Sequence, residues 1–227
     1  MKLLAIDTAT EYCSAALWLD GPGSQRTAPV VRGNGELILQ LCDQLLGEAG
    51  LSLSQLDAIA FGRGPGAFTG VRLAASTAQG LAFASGLPVI GISNLQALAW
   101  QLLMQPDAPQ RALICQDARM GEVYWAGFQR QANAVKVEGG EQVSPPVDVL
   151  AAGEWWRGDC WGGGSGFAAC PELAERATTL GRVMPELASR ALDVAALAAQ
   201  RGLAAALPPE SAQPVYLRDR VATLPSV

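Results

Sequence analysis

Histidine does not occur anywhere in the 227 residues. That absence excludes Ser-His-Asp and Cys-His activation of a nucleophile and every His-ligated metal site. Charge is scarce as well: Asp, Glu, Lys and Arg make up 16% of the chain, against a usual share of about 25%. A chain with so few charges has more apolar surface to hide than a lone monomer usually carries, which points to a partner. The net charge is -5 and the pI about 4.8. The arginines are scattered, with no basic run and no interleaved aromatics, so the chain lacks the footprint of a protein that grips RNA by itself. Its cysteines (Cys13, Cys42, Cys115, Cys160, Cys170) are odd in number and widely spaced, with no C-x-x-C pair. They fit reduced thiols better than a disulfide framework or a zinc site. No apolar run approaches the ~20 residues of a membrane span. The amino terminus enters a strand-like run at once, so no signal peptide and no membrane association are expected, and a cytoplasmic location is.

What is present is a regular alternation. Residues 2–7 and 12–19 are apolar runs separated by Thr8-Ala9-Thr10-Glu11, the length of a hairpin turn. A third strand is expected near 27–32. Gly33-Asn34-Gly35 then breaks the pattern before a helix over 36–49. A strand at 57–62, a glycine-rich turn at 62–70, a helix at 70–85, a strand at 88–92 and a helix at 94–104 complete an α/β lobe with a mixed sheet. Pro106-Asp107-Ala108-Pro109 marks a boundary, giving lobes at 1–105 and 106–227, with the final segment free to pack back on the first lobe. Beyond the boundary, 112–117 and 122–129 repeat the opening hairpin around the turn Ala118-Arg119-Met120-Gly121, and a strand near 134–138 follows. This is a faint internal echo of the first lobe. Helical patches are expected near 146–156 and 189–203, with an extended or irregular tail at 213–224.

Two turns carry candidate chemistry. Asp7, in the first hairpin, stands where a carboxylate could meet metal-bound phosphate, although Asp and Thr in such turns more often satisfy local amides. The segment GRGPGAFTGVR (62–72) joins a strand to a helix. Backbone amides at a helix N-terminus can bind an anion, and Gly64, Gly66 and Gly70 would let a phosphate approach. It is no P-loop, since no Gly-Lys-Ser/Thr follows. The competing reading is a tight corner in which Thr69 or a neighbour caps the helix. A second glycine-rich stretch, Trp161 to Phe167, reads as a flexible connection between a strand and a helix.

The helices at 36–49 and 70–85 suggest an association surface. At about 100° per residue, Leu37, Ile38, Leu41 and Leu45 form one core-facing stripe. Leu39, Cys42 and Leu46 widen it to about twice the ~100° arc of a surface helix. The alternatives are a more deeply buried helix or a second face for another protein. The next helix is rich in Ala, Ser and Gly, which allows close helix–helix approach. The candidate interface is Leu39, Cys42 and Leu46 from the first helix with Arg72, Ala75, Gln79 and Ala82 from the second.

The segments KLLAIDTAT (2–10), GRGPGAFTGVR (62–72), DARMGEVYWA (117–126) and PVYLRDRVA (214–222) resemble the TsaB family, formerly called YeaZ, and occur in order along essentially the whole chain. The resemblance implies a two-lobed actin-like α/β fold, of the ribonuclease H-like class, with mixed sheets flanked by helices. It also implies a paralogue of TsaD, the threonylcarbamoyl transferase. TsaD carries a His-x-x-x-His metal site beyond the shared loop. Those positions fall here at Asn94 and Leu98, and leucine cannot coordinate a metal. The family's association surface is the first-lobe helix pair. One departure stands out: members often carry His-Ser or His-Thr just before the first helix, where this chain has Asn34-Gly35.

Two functions follow as expectations. In the first, the chain is a non-catalytic scaffold for tRNA threonylcarbamoyladenosine formation. Its partners are then TsaD and TsaE homologues, it forms a homodimer when alone, and it meets tRNA only through the complex. No metal and no tightly bound cofactor are expected, while ATP or ADP at the complex interface is left open. In the second, it is a small ATP-dependent phosphotransferase using Asp7 and the 62–70 loop with Gly64, Gly66, Thr69 and Gly70. No second-lobe adenosine loop or cleft carboxylate can be picked out for that role. A metallopeptidase fails for want of ligands.

Overall fold

The computed structural model describes residues 1–30, 34–152 and 158–218. Alternation in the first strands decides how the first lobe is layered. In β1 (Lys2–Asp7), Leu4 and Ile6 point to one side and Leu3 and Ala5 to the other, all fully buried. A strand buried on both faces must lie at the centre of a sheet covered on both sides. β1 pairs antiparallel with β2 (Tyr12–Leu19), which pairs antiparallel with β3 (Ser24–Pro29). On its other edge β1 runs parallel to β4 (Ala58–Gly62), and β4 parallel to β5 (Val89–Ile92). The order is β3-β2-β1-β4-β5.

Helices α1 (Asn34–Ala49) and α2 (Phe68–Ser85) cover the Leu4/Ile6 face. The opposite face is covered by Ala97 of α3 (Asn94–Leu103) and by α7 (Ala191–Arg201), which supplies Ala191, Val194 and Ala198. The chain therefore returns to the first lobe after finishing the second. Leu207 then bridges the free edge of β5, exchanging backbone hydrogen bonds with Val89 at 2.8 and 2.9 Å.

The second lobe repeats the plan. β6 (Arg111–Arg119), β7 (Glu122–Gln131) and β8 (Ala134–Ser144) form an antiparallel meander. β9 (Gly158–Gly163) and β10 (Leu180–Met184) extend the sheet in parallel on the other edge of β6. The order β10-β9-β6-β7-β8 matches that of the first sheet strand for strand. The hairpin echo in the sequence is thus a duplicated topology. Helix α3 serves both lobes: Leu95, Leu98 and Leu102 pack on Ile114, Ala126 and Phe128 of the second sheet, while Ala97 faces the first. Short helices α4 (Pro146–Ala151), α5 (Gly166–Ala169) and α6 (Pro171–Ala177) cover the far face, with Val149, Phe167 and Leu173 in its core.

Several expected boundaries move. β3 starts at Ser24, three residues before the expected strand; residues 31–33, including Gly33, lie outside the described part. α2 begins at Phe68 and not at Gly70, because the chain turns helical directly after Ala67. The second hairpin's turn is tighter than expected. β6 runs through Arg119, which pairs with Glu122; Met120 and Gly121 between them take positive φ (58° and 75°), as a two-residue hairpin turn requires, and Arg119 (φ 61°) follows a register shift in the strand. β8 continues to Ser144, because Gly139 and Gly140 form a bulge within it and do not end it. Trp161 to Gly163 belong to β9, in the middle of the sheet, and not to a flexible connection. A Cβ on Gly162 would meet Phe167 and Leu180 within 3 Å, so packing explains that glycine. The helices observed at 146–151 and 191–201 are shorter than expected, and residues 153–156 of the first patch and 219–224 of the expected tail fall outside the description.

Candidate functional site

The β1–β2 hairpin lies directly on the start of α2. Thr8 Oγ1 donates to the Gly70 carbonyl at 2.6 Å, and the Ala67 amide donates to the Ala9 carbonyl at 2.9 Å. A Cβ at Gly70 would sit 1.9 Å from the Thr8 carbonyl oxygen, and one at Gly66 would sit 2.8 Å from Ala9. These two glycines are needed for backbone-to-backbone contact within the lobe, so the expected phosphate approach at Gly70 is filled by the protein itself. Thr69 does not cap the helix. It is the second helical residue and is exposed, while Ala67 at the cap position offers no side-chain acceptor.

Asp7 is likewise turned inward, with 1% of its surface exposed. Its Oδ1 accepts from the Ala9 amide at 2.9 Å, and Asn94 Nδ2 donates to Oδ1 and Oδ2 at 3.0 Å each. Ser189 Oγ donates to Oδ2 through a short contact and accepts from Asn94 Nδ2 at 2.8 Å. Asn94 Oδ1 completes the network by accepting from the Gly64 amide at 2.7 Å. Burial raises the Asp7 pKa above the ordinary 3.8; bonds from Ser189, Ala9 and Asn94 oppose the shift, and the Asp193 charge adds to it. The carboxylate therefore fastens the 62–70 loop and the segment before α7 to β1. Both of its oxygens are engaged inside the lobe, Oδ1 in part by the local Ala9 amide that such turns commonly satisfy. Gly64, buried at φ 100°, belongs to the same fastening. Ser189 escaped the sequence reading, and no local signal marks it, because it lies 182 residues from its partner.

The two positions that the family resemblance set against metal ligands, Asn94 and Leu98, both serve the fold. Asn94 is the hub just described, and Leu98 is fully buried among Leu95, Leu102 and Ile114. Among the described residues, no group of three Cys, Asp or Glu side chains is placed to hold one metal ion.

Between the lobes lies a cavity of about 760 Å³, walled by both hairpins, the start of α2, α5 and residues 215–218. Gln116 lines it, 8% exposed, and its Oε1 has no hydrogen-bond partner among the described residues. Phe68, Met120 and Tyr216 stand at the same cavity and are substantially exposed. Of the candidate loop residues, Gly66 alone lines this space; Asp7, Gly64, Thr69 and Gly70 do not.

The α1–α2 surface corrects half of the expected interface. Cys42 and Leu46 are 4% and 9% exposed and pack in the first-lobe core with Ile38, Leu41 and Leu45. Ala75 and Ala82 are buried there too. The wide apolar arc of α1 is thus the mark of a deeply seated helix, since the sheet beneath it is broad enough to accept both flanks. Leu39 remains outward at 47% exposure. Arg72 and Gln79 are half-buried and engaged within the chain: the Arg72 guanidinium lies 3.2 Å from the Phe68 ring centroid, and Gln79 Nε2 donates to the Pro209 carbonyl at 3.2 Å. The residue that sequence reasoning missed is Phe83, 80% exposed on α2. Its signal was available, since Leu73, Ser76, Gly80 and Phe83 follow helical spacing on one face. Gly35, in the first turn of α1, lies beside Leu73 on this surface.

Two five-stranded sheets of one strand order, covered by helices and separated by a cleft, define an actin-like, ribonuclease H-like α/β protein. A family profile described as "TsaD: tRNA N6-adenosine threonylcarbamoyltransferase" matches residues 30–160. The chain is 40% identical to the tRNA threonylcarbamoyladenosine biosynthesis protein TsaB of Escherichia coli over 98% of its length and 96% of that protein. The Haemophilus influenzae protein of the same name is 37% identical, over 97% of this chain and 95% of its own. A crystal structure from Pseudomonas aeruginosa, described as similar to peptidase YEAZ, superposes with a TM-score of 0.86 at 39% identity and covers 96% of this chain and 99% of its own. The chain belongs to the TsaB family.

Proposed function

We propose that this protein takes part in tRNA threonylcarbamoyladenosine biosynthesis as a non-catalytic subunit that binds a TsaD-type transferase. The observation that carries the reading is the state of Asp7. At the position where a phosphotransferase of this fold needs a carboxylate facing metal-bound phosphate, the side chain is sealed under Asn94 and Ser189. The chain has no histidine, and among the described residues no cluster of three metal-ligating side chains, so His-dependent catalysis and a clustered metal centre have no groups there.

What it does offer is a surface. Leu39 and Phe83 stand out from α1 and α2, and the small side chains of Gly80, Ser76 and Ala84 around Phe83 permit close approach of another helix. A partner covering this face would remove the exposed Phe83 ring from water, worth about 1.5–3 kcal/mol for a side chain of that size. The same face accounts for self-association when the transferase is absent. A TsaE-type ATPase completes the proposed assembly, nucleotide sits at the subunit interface and not in this chain alone, and tRNA is met through the complex.

The test is reconstitution. The purified chain alone should transfer no threonylcarbamoyl group to tRNA. Added to TsaD, TsaE, ATP, threonylcarbamoyl-adenylate and tRNA, it should be required for turnover. Full modification in its absence, or transfer by the chain alone, would remove the proposal. A scaffold works by binding one state of its partner better, and ~1.4 kcal/mol of preference shifts a population ratio tenfold.

A further inference from the structure

The last described residues cross from one lobe to the other. Val215 donates its amide to the Arg63 carbonyl at 2.8 Å, and its own carbonyl lies where Gly64 leaves room, 3.1 Å from the position of a Cβ there. Tyr216 closes a stack on α2, with the Arg72 guanidinium 3.2 Å from the Phe68 centroid and 4.8 Å from the Tyr216 centroid. Two residues later the chain is on the second lobe. Arg218 pairs with Glu122 and donates to the carbonyls of Ala118 at 3.1 Å and Arg119 at 3.3 Å, gripping the β6–β7 hairpin from outside. Val215, Tyr216, Leu217 and Arg218 are at the same time one wall of the interlobe cavity over Gln116.

We infer that residues 214–218 are a strap that sets the aperture between the lobes, and that its release opens the cleft to a molecule bearing a hydrogen-bond donor. Two features support a releasable closure. Among the described residues Nε of Arg218 is buried without an acceptor, so their grip on the second lobe leaves a donor unmet. The Gln116 oxygen inside has no donor among the described residues, a bond that an incoming N–H or O–H would supply. The strap's anchors are a backbone hydrogen bond and the Tyr216 stack on the first lobe and a single charge-assisted cluster on the second. Loss of one side chain should therefore free one end while the other stays attached.

The experiment uses the full chain with Ser54→Cys and Val147→Cys, one exposed site on each lobe, spin-labelled for distance measurement and diluted with unlabelled chain. The five native cysteines are buried and stay unlabelled. With the strap intact a single narrow distance is expected. Arg218→Met should broaden and lengthen it, and Arg218→Lys, which keeps the charge for Glu122, should restore part of the narrow distribution. Amide exchange over 117–122 should quicken about tenfold in Arg218→Met, the size expected for loss of a charge-assisted hydrogen bond, with the strands of both sheets unchanged. Glu122→Gln approaches the same contact from the other lobe and serves if Arg218→Met does not fold. Native distance and native exchange in the folded variants would overturn the strap.

Discussion

The side-chain amide of Asn94 reaches both carboxylate oxygens of Asp7, each at 3.0 Å, across 87 residues of sequence. A carboxylate held this way, with Ser189 and the Ala9 amide completing its shell, is a structural fastener. The asparagine amide offers Asp7 donors without charge, and its carbonyl oxygen takes the Gly64 amide. The Asn94 side chain thus ties the 62–70 loop to β1.

The titration of Asp7 should be visible in stability. Burial places its pKa above the ordinary 3.8. The folded state therefore holds the proton more tightly than the unfolded chain does. The stabilisation is fully present below 3.8 and is lost as pH rises through the raised native pKa. Urea denaturation of the native chain against Asp7→Asn, which cannot titrate, should show the native chain losing ground from about pH 4 upward. A stability difference that instead grew with pH would mean the carboxylate is favoured in its ionised form. Asn94→Ala, which leaves the buried acid short of donors, should cost ~1–3 kcal/mol.

Glycine at position 70 is required by contact. Gly70→Ala places a methyl 1.9 Å from the Thr8 carbonyl oxygen and should prevent folding or destabilise by more than the ~1–3 kcal/mol common for overpacking. Gly80→Ala is the control. It lies in the same helix with nothing within 4 Å, and should stabilise by ~0.5–1 kcal/mol. Thermal or urea melts of the two variants read the contrast directly. Equal effects would mean the hairpin does not rest on α2 as described.

Association and folding separate on the first two helices. Leu39→Glu with Phe83→Glu changes only outward side chains, so circular dichroism should stay near native while sedimentation moves toward monomer and TsaD capture falls. Leu46→Ala should leave the surface intact and cost ~2–5 kcal/mol of stability, as a core truncation does. Unchanged self-association and capture in the double glutamate variant would place the interface elsewhere.

The thiols should be silent in the native state. Cys13, Cys42, Cys115, Cys160 and Cys170 are all unpaired and buried. Burial pushes Cys13 up to about 11 and Cys42 and Cys160 up to about 12. Reaction with a disulfide reagent at neutral pH should be slow until denaturant is added, when all five titrate. Rapid reaction of one thiol in the folded chain would show that its lobe opens readily.

Much of this protein is set by the order of its residues alone. Strand and helix identity along 2–19 and 58–103, the duplicated hairpin and the family are legible because they depend on local periodicity and on short motifs read in sequence. The absence of histidine excludes His-activated nucleophiles and His-ligated metals. Other features required the third dimension. The wide apolar arc of α1 fits either a second docking face or deep burial, and only the breadth of the sheet beneath decides that Cys42 and Leu46 are inside and Leu39 is not. Glycines at 66 and 70 look the same whether a phosphate or the Thr8–Ala9 backbone fills the space before them. The role of Asp7 depends on Asn94 and Ser189, 87 and 182 residues away, and the strap joins Arg218 to Glu122 across 96. Periodicity reports which residues avoid water, but a polar side chain takes its function from the partner that folding brings to it, and that pairing is fixed only when the two lobes close around α3 and α7.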